Sequence, residues 1–144
     1  MSRTLYTGGT FDIFHPGHVN FLRRCRALAG EGGVVVVALN RDDFVERFKG
    51  HPPVFPYLDR EAILLACRYV DHVIPNFGDE DSSKVIELVK PDIIAIGEDW
   101  RNRDYYSQMG FDQQWLNDRS IHLVYLPYSY ASAGRPSSLI RPQL

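Results

Sequence analysis

His15 and His18 stand three residues apart with Pro16 and Gly17 between them, and Gly8 and Gly9 lie a few positions upstream. Two imidazoles at that spacing, placed where a turn enters a helix, can both donate hydrogen bonds to the oxygens of one phosphate chain. Glycines let backbone pass close to such a group, and the free amides of a helix start attract anions. Neither Ser nor Cys stands beside the histidines, so covalent catalysis by a neighbouring hydroxyl or thiol is not indicated. What these residue types can do is hold polyanions and stabilise charge on phosphorus. The plainer alternative is that a glycine-rich turn and two histidines merely cap a helix.

The flanking segments are those such a site needs. Thr4-Leu5-Tyr6 reads as a strand, and an amphipathic helix is expected from about Gly17 to Leu28, with Val19, Leu22, Cys25 and Ala29 on one face and Gly30 as its stop. Val34 to Leu39 is a β-branched run apolar on both faces, as in the middle of a parallel sheet. Further strands are expected at Val70–Pro75, Asp92–Gly97 and Ile121–Leu126. Between them, helical stretches are expected at Arg41–Phe48, at Arg60–Tyr69 capped by Asp59 with Ala62, Ile63 and Ala66 facing the sheet, from Ser82 or Ser83 to Pro91, and within Phe111–Asp118. Lys49 to Tyr57 is too rich in proline to be regular. A short terminal helix is expected after Arg135-Pro136-Ser137.

Five strands separated by helices predict an α/β, Rossmann-like, doubly wound parallel sheet with helices on both faces. A length of 144 residues predicts a single domain over 1–144. In such a sheet the ligand lies at the carboxyl ends of the strands, where strand order reverses. The formal charge of −2 leaves no broad basic field for nucleic acid. Apolar residues nowhere run long enough to span a bilayer, and Cys25 and Cys67 are spaced as lone thiols, which together predict a cytoplasmic protein.

Thr7-Gly8-Gly9-Thr10-Phe11-Asp12-Ile13-Phe14-His15-Pro16-Gly17-His18 resembles the signature of the nucleotidyltransferase superfamily, with its Gly-x-Phe-Asp turn and His-x-Gly-His pair, and within it looks most like glycerol-3-phosphate cytidylyltransferase. The resemblance implies transfer of CMP from CTP to a small phosphorylated alcohol, phosphate or phosphonate, with release of pyrophosphate. It implies His15, His18 and Lys49 as catalytic groups. It also implies a nucleotide site of Gly9, Thr10, Phe11, His15, Gly17, His18, Gly97, Asp99, Trp100, Arg135, Ser137 and Ser138, and acceptor contacts from Asp12, Lys49, Arg60 and Lys84. No metal ligand is assigned to the protein. Mg²⁺ is expected to bind mainly through the triphosphate. A homodimer is the expected assembly.

Gly97-Glu98-Asp99-Trp100 is similar to the Gly-Asp-Asp-Trp segment of cytidylyltransferases and carries the CTP expectation. Two stretches depart from the pattern. Gly50-His51 stands where a second lysine is usual, and Tyr128 to Arg141 replaces the Arg-Thr-Glu-Gly-Ile-Ser-Thr-Thr tail. The alternatives are therefore an adenylyltransferase of the same superfamily, using ATP on a sugar phosphate or cofactor precursor, and a nucleotide-binding protein without turnover. A dinucleotide oxidoreductase fits poorly, because Gly-x-Gly-x-x-Gly is missing and Asn40 stands where a ribose-binding acid belongs.

Overall fold

The computed structural model describes residues 2–78, 81–98 and 110–128. In chain order it contains β1 (Thr4–Gly9), α1 (Pro16–Ala29), β2 (Val34–Leu39), α2 (Asp42–Lys49), α3 (Tyr57–Ala66), β3 (His72–Pro75), α4 (Ser83–Val89), β4 (Ile93–Gly97), α5 (Gln113–Asp118) and β5 (His122–Leu126). All five strands are parallel, in the order β3-β2-β1-β4-β5. This is the expected doubly wound α/β sheet.

Alternation along the strands divides the core between the two faces. Leu5, Val35, Val37, Ile93 and Ala95 pack with Phe21, Leu22 and Cys25 of α1 and Leu64 of α3. Tyr6, Ala38, Ile94 and Ile96 pack on the other face with Val85 and Ile86 of α4 and Leu116 of α5. Strands buried on both faces must read as unbroken apolar runs, which is why β2 and β4 are so plain in the sequence. No helix among the described residues is long and apolar enough to cross a membrane.

The strand order reverses between β1 and β4. These two strands are bridged only at Leu5 with Ile93 and Tyr6 with Ile94. Beyond that point β1 continues to Gly9 beside β2, and β4 continues to Gly97 beside β5. The sheet therefore parts toward its carboxyl edge at the place where ligands of such folds enter.

Several boundaries differ from the sequence expectation. β1 runs on through both glycines, because Gly8 and Gly9 pair in register with Ala38 and Leu39. Lys49 closes the last turn of α2 instead of opening a loop, and Gly50 follows with φ +83°, the left-handed stop that glycine adopts without strain. α3 begins at Tyr57, with Pro56 as its cap, so Asp59 sits inside the first turn, where its charge still favours the helix dipole. Ala62 and Ala66 are exposed and Leu64 is buried. The inward stripe is Arg60, Leu64 and Cys67, because the side chain of Arg60 is itself buried. β3 is delayed to His72 by Asp71, whose carboxylate accepts from the Val35 amide at 2.8 Å and from Arg26 at 2.7 Å.

Candidate active site

Between β1 and α1 the chain turns through Thr10 to His15. Phe11 and Ile13 both adopt left-handed backbone, with φ of 50° and 49°. For bulky residues that is a strained conformation, tolerated only when surroundings over-determine it. Both side chains are buried as anchors, and the Asp12 carboxylate between them accepts from the Ile13 amide at 3.1 Å. A Cβ on Gly9 would meet the Phe11 ring at 3.0 Å, so glycine there allows the ring to fold under the strand end.

His15 is the N-cap of α1, and Pro16 takes the first helical position, where its fixed φ fits and no amide is missed. The Nδ1 of His15 accepts from the Gly17 amide at 3.0 Å, and the Nδ1 of His18 accepts from the His15 amide at 3.2 Å. The two rings thus cap the helix reciprocally. Capping is not an alternative to chemistry here. A neutral imidazole whose Nδ1 accepts must carry its proton on Nε2, so both rings hold Nε2–H as a donor. The Nε2 of His15 is buried and has no hydrogen-bond partner among the described residues, which leaves a donor whose pairing with an incoming oxygen recovers the cost of its burial.

The ring centroids of His15 and His18 are 4.1 Å apart. Phe14 stacks on His18 at 5.3 Å, Phe11 lies at 5.5 Å, and the Tyr128 ring meets it edge-on at 6.0 Å. Burial in this aromatic surround, then the neighbouring His15 and the Lys49 ammonium, push the His18 pKa down to about 3. Burial lowers His15 as well. Both are therefore neutral donors near pH 7. Gly17 completes the arrangement, since a Cβ there would stand 2.6 Å from His15 Cε1 and 3.3 Å from the Tyr128 carbonyl oxygen.

The tertiary structure gathers Gly9, Thr10, Phe11, His15, Gly17 and His18 at one mouth, with the charge of Lys49 acting on His18. Gly97 ends β4 across the parting of the sheet. Lys84 is exposed on the first turn of α4. Asp12 and Arg60, which the resemblance assigns to the acceptor, spend their polar atoms on the protein itself. Asp12 accepts from the amides of Val54 and Phe55 at 2.6 and 3.0 Å. Arg60 is 1% exposed. It donates to the carbonyls of Phe55, Thr10 and Asn40 at 2.8, 2.9 and 2.9 Å and to Asp42 at 2.6 Å. Asp99, Trp100, Arg135, Ser137 and Ser138 lie outside the described residues.

Two supports escaped the sequence reading. Asn40, at the carboxyl end of β2, donates to the Thr10 hydroxyl at 3.1 Å and accepts from Asn76 at 2.8 Å, so a polar chain crosses three strand ends. The available signal was a polar residue directly after each of two parallel strands, at the edge where such sheets bind ligands.

Residues 6–142 match the family model described as cytidylyltransferase-like. The chain is 36% identical to the FAD synthase of Pyrococcus abyssi over 129 residues, covering 85% of this chain and 79% of that enzyme. It is 37% identical over 103 residues to the bifunctional protein HldE of Helicobacter pylori, covering 71% of this chain and 21% of that protein. The crystal structure of the lipopolysaccharide core biosynthesis protein from Thermoplasma volcanium superposes with a TM-score of 0.63 at 28% identity, covering 88% of this chain and 98% of that one. The motifs pointed to glycerol-3-phosphate cytidylyltransferase as the nearest relative, whereas these relatives are FAD synthases and HldE.

Proposed function

As this chain belongs to the cytidylyltransferase-like family and is a nucleotidyltransferase, we propose that it transfers the adenylyl group of ATP to the phosphate of a small cofactor precursor. The observation that carries this reading is the 36% identity to an FAD synthase across 79% of that enzyme. FAD is an adenylate joined by one phosphoanhydride bond to the phosphate of flavin mononucleotide, which makes that compound the first acceptor to test. This replaces CTP and glycerol 3-phosphate as the main reading.

The chemistry asked of the protein is modest. An acceptor phosphate oxygen attacks the α-phosphorus, the bond from that phosphorus to the bridging oxygen of the β-phosphate breaks, and pyrophosphate leaves. A phosphate monoester is already a nucleophile, so alignment and charge stabilisation are what remain to be supplied. His15 and His18 offer Nε2–H donors to the triphosphate oxygens, and the start of α1 adds its dipole. Lys49 supplies positive charge on the same side. Among the described residues no three His, Cys, Asp or Glu side chains gather to hold a metal. Mg²⁺ in this reading comes with the triphosphate and lowers its charge.

The Gly97-Glu98-Asp99-Trp100 segment favours a second reading, CTP as donor. One assay separates the two: pyrophosphate release with ATP or CTP and Mg²⁺, against flavin mononucleotide, sugar phosphates and glycerol 3-phosphate. ATP-dependent release with flavin mononucleotide is the expected result. Release with CTP alone would replace the proposed donor, and silence with every pair would reject turnover.

A further inference from the structure

Residues 42–57, which comprise α2 and the proline-rich stretch after it, form an arm that carries Lys49 and is tied down at two points. At its base Asp42 accepts from the Arg60 guanidinium at 2.6 Å and from the Tyr57 amide at 3.3 Å. At its far end the amides of Val54 and Phe55 donate to Asp12 at 2.6 and 3.0 Å, and the Phe55 carbonyl accepts from Arg60 at 2.8 Å. The same two side chains grip the phosphate-site turn, Asp12 through the Ile13 amide and Arg60 through the Thr10 carbonyl at 2.9 Å. We propose that Asp12 and Arg60 are positioning residues that set Lys49 against the His15–His18 pair by fastening this arm to the turn.

The charges support the assignment. A carboxylate one turn away from a polyanion site is repulsive unless its charge is engaged, and Asp12 accepts from three amides. A buried guanidinium is costly unless its hydrogens are paired, and Arg60 makes four hydrogen bonds with its side chain 0% exposed. Neither group is left over for substrate. Both fix the strained turn that holds Phe11 and Ile13 in left-handed backbone. The burial-lowered His18 also responds to the Lys49 charge, which places that ammonium within electrostatic reach of His18.

This inference rests on reading His15 and His18 as the phosphoryl site, and a double-mutant cycle separates the two. Pyrophosphate release is measured for Asp12→Asn, Lys49→Ala and the pair, with His18→Ala alongside and thermal melting as the fold control. Val54→Pro deletes one amide donor from the exposed side of the same contact and stands in if Asp12→Asn does not fold. Misplacing an aligned group by about an ångström can cost up to a hundredfold. Asp12→Asn and Val54→Pro should therefore lower kcat by roughly tenfold to a hundredfold when Lys49 is present. In the Lys49→Ala background the same changes should cost less than about threefold, because the group they position is gone. Equal losses in both backgrounds, or none in either, refute the positioning role even if His18→Ala is inactive. Full activity of His18→Ala removes the site reading itself.

Discussion

The ring centroids of His15 and His18 lie 4.1 Å apart, and each Nδ1 accepts from a backbone amide at the N-terminus of α1. One geometric fact therefore serves two purposes. It satisfies orphan amides at the helix start, and it leaves Nε2–H as the proton each ring can offer to phosphate.

The two purposes separate by substitution. Asn at position 15 can keep an acceptor near the place of Nδ1 and loses the distal donor, whereas Ala loses both. His15→Asn should melt close to wild type while turnover falls by about a hundredfold, the loss of one preorganised donor worth ~3 kcal/mol. His15→Ala should lose the same activity and a further ~1 kcal/mol of stability as a missing cap. Paired melting curves and pyrophosphate assays decide it, and equal stability of the two variants would deny the capping role.

Acid should destabilise the fold through these rings. His18 is pushed from an ordinary value of 6.5 down to about 3 by burial, so the unfolded chain binds more protons than the folded one between those values. Its contribution to stability is complete above about pH 6.5 and is lost as pH falls toward about 3. Urea unfolding from pH 7 to pH 4 should show a stability slope that His18→Asn flattens. A parallel slope in that variant would contradict the assignment.

Gly17→Ala inverts the usual propensity rule. Within a helix the change normally stabilises by up to ~1 kcal/mol. Here the added Cβ stands 2.6 Å from the His15 ring and 2.9 Å from its Nδ1. The ring must move off the cap, so turnover should drop by at least about tenfold with no gain in melting temperature. A more stable, fully active variant would show that the ring has room to yield.

Arg60→Leu should be the most damaging single change away from the histidines. It leaves the Thr10, Asn40 and Phe55 carbonyls without their donor and Asp42 without its ion pair. Asp42, its side chain 45% exposed, falls back on water, but three part-buried carbonyls left without a donor cost roughly 1 kcal/mol or more each, together at least about 3 kcal/mol. In a domain of 144 residues that corresponds to a fall of roughly 10 °C in Tm, measurable by calorimetry. A fall of only a degree or two would mean that solvent reaches those carbonyls.

Much of the scaffold was legible in the sequence. Val34–Leu39 was bounded to the residue, and the order of strands and helices followed from apolar runs and their interruptions. The helix expected from Gly17 to Leu28 is longer by one residue at each end, because Pro16 and Ala29 both join it. The face of α3 was not legible. The face expected from Ala62, Ile63 and Ala66 leaves Arg60 outside it, whereas a buried guanidinium with four bonds turns Leu64 and Cys67 inward. The nucleotide was not legible either, since the same turn serves donors of both kinds and only relatives favoured ATP.

The sequence alone determined the sheet and the turn that leads into His15 and His18, because these depend on residues that are neighbours in the chain and on periodicity within an element. The reaction class came from the resemblance of that turn to the nucleotidyltransferase signature. The tertiary structure alone decided that Asp12 answers to Val54 and Phe55 and that Arg60 binds the Thr10 carbonyl. Those bonds join positions 42, 43 and 50 residues apart. No local pattern encodes which buried charge meets which distant amide, since the pairing is fixed only when the strand ends come together and water is excluded from between them.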